Sequence, residues 1–128
     1  MNQPKNILVI NDNQEILEQI KKRLAQQKYN FTALLSGKEA LQELRRQHFD
    51  LILIDFHLNH QKDGQKTADF FIPRIKKIKP EIPIIVISAT ESKISAKRLD
   101  VADVGYVNTF FWDNLLQLIE KNLNRNSQ

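Results

Sequence analysis

Two aspartates and a serine, Asp12, Asp55 and Ser88, each lie at the end of a short apolar run in this chain of 128 residues. Asp12 follows ILVI (7–10) and Asn11, Asp55 follows LILI (51–54), and Ser88 follows IIVI (84–87). If the three runs lie side by side and point the same way, two carboxylates and a hydroxyl meet at one edge. That set suits oxygen chemistry with a hard cation. Mg²⁺ binds through one or two carboxylates, keeps several waters and works beside phosphate oxygens. Asp12 also suits a plainer role, the N-cap of a helix beginning just after it. Asp55 precedes Phe56-His57-Leu58, where no helix starts, so capping does not account for it.

The elements that must position these groups follow from periodicity. Runs apolar on both faces mark fully buried strands, and residues 7–10, 51–54 and 82–87 fit that description. Weaker strands are expected over 31–35 and 104–107. Helical spacing joins Ile16, Leu17, Ile20 and Leu24, then Ala40, Leu41 and Leu44, and finally Leu115, Leu116, Ile119 and Leu123. Shorter helices are expected over 66–78 and 91–99. Strand then helix, five times over, predicts an α/β fold with a doubly wound parallel sheet covered on both faces. In such a sheet ligands sit outside the carboxyl ends of the strands. Asp12, Asp55, Ser88 and Asn108-Thr109 all fall there. Ser36-Gly-Lys-Glu39 reads as a capping box, with the Ser36 hydroxyl and Glu39 carboxylate exchanging bonds with first-turn amides. Pro73 is expected to interrupt the third helix and Pro80 to end it.

Composition narrows the chemistry. The chain has no Cys, which excludes a disulfide scaffold, thiol catalysis and Cys-ligated metal. The turn after the first strand, NDNQE, lacks the glycines of a dinucleotide cradle or P-loop, and no flavin-type phosphate loop takes their place. The longest aliphatic runs are far short of the roughly 20 residues that span a bilayer, and no signal peptide is expected. A cytoplasmic protein without a membrane partner is the expectation. The net charge is +4, most of it from Lys66, Arg74, Lys76, Lys77 and Lys79. Such a run reads as a solvated helix face, and no nucleic-acid-binding motif accompanies it. His57 and His60, in the pattern D-x-H-x-x-H, read as polar surface. An aspartate-nucleophile phosphatase needs Asp-x-Asp, which Asp55-Phe56-His57 lacks.

The segments ILVIND (7–12), DLILID (50–55), IIVISA (84–89) and GYV (105–107) together resemble the receiver domains of two-component response regulators, across nearly the whole chain. The resemblance implies a single receiver domain over 1–128, with its core at about 5–124. It implies a flavodoxin-like three-layer sandwich, a five-stranded parallel sheet in the order 2-1-3-4-5 and five helices, the first and last on one face. Asp55 then corresponds to the phosphoacceptor, Asp12 to a direct Mg²⁺ ligand and the backbone carbonyl of His57 to a further ligand. Ser88 corresponds to the switch hydroxyl and Tyr106 to the switch aromatic. The implied partner is a histidine kinase or phosphotransfer protein. Apart from phosphorylation and dephosphorylation of its own Asp55, no enzyme activity is implied.

Two departures qualify this expectation. Asn11 stands where the family carries a second acid, so it enters the outer shell of the metal site without a charge, and weaker Mg²⁺ binding is expected. Thr109 stands where the family carries lysine, and no Lys or Arg occurs between Arg98 and Lys121. A charge-assisted contact to the phosphoryl group is thereby lost, and impaired switching is expected. The alternative is a pseudo-receiver, the same scaffold serving as a phosphorylation-independent interaction module. The face made by the helix over 91–99, the last strand and the last helix, with Tyr106, Phe110 and Trp112, is the expected surface for a protein target or a second copy.

Overall fold

In chain order the elements are β1 (Asn6–Ile10), α1 (Gln14–Gln26), β2 (Asn30–Leu34), α2 (Gly37–Arg46), β3 (Leu51–Asp55), β4 (His57–Leu58), β5 (Lys66–Thr67), α3 (Ala68–Ile78), β6 (Ile84–Ser88), β7 (Val104–Asn108) and α4 (Trp112–Arg125). The computed structural model describes residues 4–58, 62–88, 104–108 and 112–125, and only the backbone of Ser88, 104–108, Trp112, Asn114 and Arg125. The helix expected over 91–99 lies outside the described residues, among which there are four helices. The five longer strands form one parallel sheet in the order β2-β1-β3-β6-β7.

Alternation along the buried strands divides the core in two. Leu8, Ile10, Ile52, Ile54, Ile84 and Val86 pack with Ala40 and Leu44 of α2 and Phe71, Ile72 and Ile75 of α3. On the other face, Ile7, Val9, Leu51, Leu53, Ile85 and Ile87 pack with Leu17, Ile20 and Leu24 of α1 and Leu115, Ile119 and Leu123 of α4. The central strands are apolar on both faces because both faces are covered. Each such Leu or Ile contributes roughly 1.5–3 kcal/mol relative to exposure.

Local chemistry sets the ends of the elements. The α1 helix closes with Lys28 at φ +64°, the left-handed position usual after a helix C-terminus. At the amino end of the sheet, the Asn6 amide donates to Asp50 Oδ2 at 2.8 Å, while the Asp50 amide donates to the Asn6 carbonyl at 2.7 Å. That reciprocal pair ties the start of β1 to the residue before β3.

Three expectations need correction. Pro73 does not interrupt α3, which runs unbroken from Ala68 to Ile78 with Pro73 inside it. Proline removes one amide donor, but Pro73 is on the exposed side while Phe71, Ile72 and Ile75 anchor the helix in the core. The helix does stop before Pro80, with the Lys79 amide donating to Ile75 C=O at 2.8 Å. It begins at Ala68 instead of residue 66, because Lys66 and Thr67 pair antiparallel with Leu58 and His57 as β5 against β4. The capping box at Ser36 is half as expected. Ser36 Oγ accepts from the Glu39 amide at 3.3 Å, whereas the Glu39 carboxylate lies 3.3 Å from Lys62 Nζ.

Candidate functional site

Adjacent parallel strands with aligned register bring the sequence candidates to one edge. Ile10 pairs with Ile54, so Asn11-Asp12 and Asp55 come next on neighbouring strands. Asp55 pairs with Ile87, which puts Ser88 one residue farther along β6, and Ser88 pairs with Asn108. Tyr106 pairs with Val86 on the outer strand β7. Thr109, Phe110 and His60 lie outside the described residues, as do the side chains of Ser88, Tyr106 and Trp112.

The turn after β1 is held by its asparagines. Asn11 is 1% exposed; its amide donates to Leu34 C=O at 3.0 Å and its Oδ1 accepts from the Asn13 amide at 2.9 Å. Asn13 is therefore the N-cap of α1, its Oδ1 accepting from the Ile16 amide at 3.1 Å. The capping role open to Asp12 belongs to its neighbour instead.

Asp55 is half-buried, and its carboxyl is pushed up to about 7, first by burial and then by the negative charge of Asp12. A backbone hydrogen bond from Phe56 acts in the opposite direction. The negative charge of Asp12 beside the half-buried Asp55 carboxyl makes a donor set whose repulsion a divalent cation would relieve. Among the described residues, no three His, Cys, Asp or Glu side chains converge on one point.

The backbone after Asp55 is firmly placed. Phe56 N–H donates to Ile87 C=O at 2.9 Å, and Phe56 C=O accepts from the Ala68 amide at 2.7 Å. With the Phe56 carbonyl bonded across the ribbon, the His57–Thr67 pair takes a non-hydrogen-bonded place in the antiparallel ladder. The His57 N–H and C=O accordingly point away from β5. The His57 ring is exposed and meets Phe56 edge-on, with centroids 4.8 Å apart.

Sequence reasoning missed Asp63, which is 6% exposed. Its Oδ1 accepts from Ser36 Oγ at 2.8 Å and the Lys38 amide at 3.0 Å, and its Oδ2 accepts from the Gly37 amide at 2.8 Å. One carboxylate thus serves the amino end of a helix more than two dozen positions earlier, where free N–H groups and the helix dipole favour negative charge. An aspartate directly before Gly64 offered only a turn signal. An open cleft of about 620 Å³, lined by His48, Phe49, Asp50, Lys79 and Ile82 among others, lies at the amino end of the sheet, away from this site.

Residues 7–119 match the family model described as the response regulator receiver domain. The chain belongs to that family. Curated relatives of this receiver domain include the transcriptional regulatory protein ZraR of Escherichia coli K12, 30% identical over 92% of this chain but only 26% of its own length. GlrR from the same organism is 28% identical over 67% of this chain and 18% of its own. The receiver domain thus spans about a quarter or less of these relatives. Among solved structures, the N-terminal domain of a response regulator/sensory box/GGDEF three-domain protein from Carboxydothermus hydrogenoformans has TM-score 0.81 and 25% identity, covering 96% of this chain and 97% of that one. The response regulator TrrA of Thermotoga maritima, in complex with Mg²⁺-BeF, has TM-score 0.78 and 26% identity, covering 92% and 98%. The receiver fold is flavodoxin-like, and no described helix is long and apolar enough to cross a membrane.

Proposed function

We propose that this receiver domain, a single unit over 1–128, accepts a phosphoryl group on Asp55 from a histidine kinase or phosphotransfer protein. The observation that carries the reading is the electrostatic pairing of Asp12 with Asp55 across the ends of two adjacent strands. An Asp55 carboxylate oxygen attacks phosphorus, the N–P bond of the donor phosphohistidine breaks, and the imidazole leaves with the bonding electrons. Attack requires the ionised carboxylate, so a group titrating at about 7 is only partly competent at neutral pH. The Asp12 and Asp55 carboxylates and the His57 carbonyl are the groups that would hold Mg²⁺, with Asn11 behind them. When bound, Mg²⁺ supplies positive charge that favours ionised Asp55 and offsets charge on phosphoryl oxygens. The TrrA structure with Mg²⁺-BeF supports this choice of ion.

Ser88 is the residue assigned to bond the new phosphoryl oxygens, with Tyr106 following it. Thr109 offers a neutral hydrogen bond where an ammonium would give a charge-assisted one, so the response is weak. Catalysis is confined to the gain and loss of the domain's own phosphoryl group. Partners engage the face carrying Tyr106, Phe110 and Trp112.

The test is intact-protein mass spectrometry after acetyl phosphate, with and without Mg²⁺, using Asp55→Ala as control. A phosphoryl adduct that needs Mg²⁺ and disappears in the variant is expected. The lysine-free stretch from residue 99 to 120 favours a second reading, a binding module whose switch is fixed. Absence of any adduct, with partner capture unaffected by Asp55→Ala, would select it.

A further inference from the structure

The segment after Asp55 is fastened at two places, and the two are linked. Nearer Asp55, β4 pairs with β5, and the Ala68 amide closes onto Phe56 C=O at 2.7 Å. Immediately before β5 come Gly64 at φ +64° and Gln65 at φ +53°, successive left-handed residues that turn the chain sharply. Just before them, Asp63 is bound by Ser36, Gly37 and Lys38 at the start of α2. Only this short, sharply turned piece of chain separates the buried carboxylate from the strand paired with His57.

The receiving end is rigid. Ser36 is fully buried and α2 is packed closely on α3, where a Cβ added to Gly37 would stand 2.7 Å from carbons of the Phe71 ring. The Asp63 oxygens are fixed against a framework that cannot readily follow them if they move. A carboxylate receiving three donors is held more tightly than a neutral acceptor.

We propose that Asp63 is a positioning residue for the phosphoacceptor site. By clamping the chain before β5 to the α2 amino end, it holds the β4–β5 ribbon and sets where the His57 backbone stands relative to Asp55 and Asp12. The inference rests on the reading of those carboxylates as a Mg²⁺ and phosphoryl site. Asp63 touches neither ion nor phosphoryl group; it acts through the ribbon.

Asp63→Asn keeps the shape but turns one acceptor into a donor, which opposes at least one of the Ser36, Gly37 and Lys38 donors. Ser36→Ala is the companion variant, removing the α2 cap while leaving the Asp63 bonds to Gly37 and Lys38. Amide hydrogen exchange by NMR reads the ribbon through Ala68 and the sheet interior through Ile52, whose amide donates to Pro83 C=O at 3.0 Å. In Asp63→Asn the Ala68 amide is expected to exchange about tenfold faster with Ile52 unchanged. In Ser36→Ala it is expected to stay near the unaltered rate. Mg²⁺ titrations followed at the Asp12 and Asp55 amides should show a midpoint raised about threefold or more in Asp63→Asn alone.

An unchanged Ala68 amide, or equal acceleration in both variants or at Ile52, would overturn the clamp. A faster Ala68 amide with an unmoved Mg²⁺ midpoint would reduce Asp63 to a helix cap and overturn the positioning role. No Mg²⁺ response in the unaltered protein would instead sink the reading of the carboxylate pair, with the exchange rates still deciding the clamp.

Discussion

Asp55 is burdened by its own burial and then by the charge of Asp12 on the neighbouring strand, and its carboxyl ionises only at about 7. The unfolded chain releases that proton near the ordinary value of 3.8. The folded state therefore binds the extra proton between these values. The stability due to protonated Asp55 is complete below about pH 4 and is lost as pH rises through about 7.

Asp55→Asn removes that dependence. Urea unfolding should find the variant more stable than the unaltered domain at about pH 8, by about 1–3 kcal/mol after allowance for solvent screening at a partly exposed group. The difference should shrink at about pH 5. Adding Mg²⁺ at pH 8 should raise the melting temperature of the unaltered domain and leave the variant nearly unmoved. A difference independent of pH would contradict the assignment of strain to Asp55.

Asn11→Asp places a third carboxylate at the strand ends, in a buried position whose side chain already accepts the Asn13 amide. Without metal the variant should melt at a lower temperature, and with Mg²⁺ it should bind more tightly, about tenfold for one added charge in a hard-cation site. Calorimetric titration of both forms checks the pair of effects. Equal affinities would remove Asn11 from the metal site.

Gly37→Ala should destabilise the domain by about 1–3 kcal/mol, because the new methyl group meets the buried Phe71 ring at 2.7 Å. Combining it with Phe71→Leu should give a double variant more stable than additivity allows. Thermal melts of the four proteins complete the cycle.

Thr109→Lys supplies an ammonium at the position where the resemblance to the family implies one, and a charge-assisted bond is about twice as strong as a neutral one. The chemical-shift changes around Ser88 and Tyr106 on adding beryllofluoride should grow in this variant. A full response in the unaltered protein would show that Thr109 suffices.

The three central strands were legible because each runs apolar into a polar residue, and a strand covered on both faces carries no polar alternation to confuse the reading; β2, which begins at Asn30 and holds Thr32, shows the pattern less clearly. The carboxylates were legible for the same reason, since a strand end in a parallel sheet is already a place in space. The helix cap was harder: Asp12 and Asn13 are both good N-caps, and the choice falls to Asn13 because the Asn11 side chain folds the turn back on its amide. β4 and β5, of two residues each, are too short to show a period. Asp63 was unreadable in principle, since what it binds depends on how a loop lands beside α2.

The reciprocal bonds between Asn6 and Asp50 have a consequence for how the domain tolerates change. They fix the phase of β1 against β3 at the end of the sheet opposite Asp12 and Asp55. A slip by one residue would reverse the facing of every side chain in a strand, and this anchor opposes it without using any residue of the crevice. The phase of β1 against β3 thus has an anchor that does not depend on the connections at the crevice. Loops at the working end can be lengthened and recoded for new partners while the carboxylates keep their places.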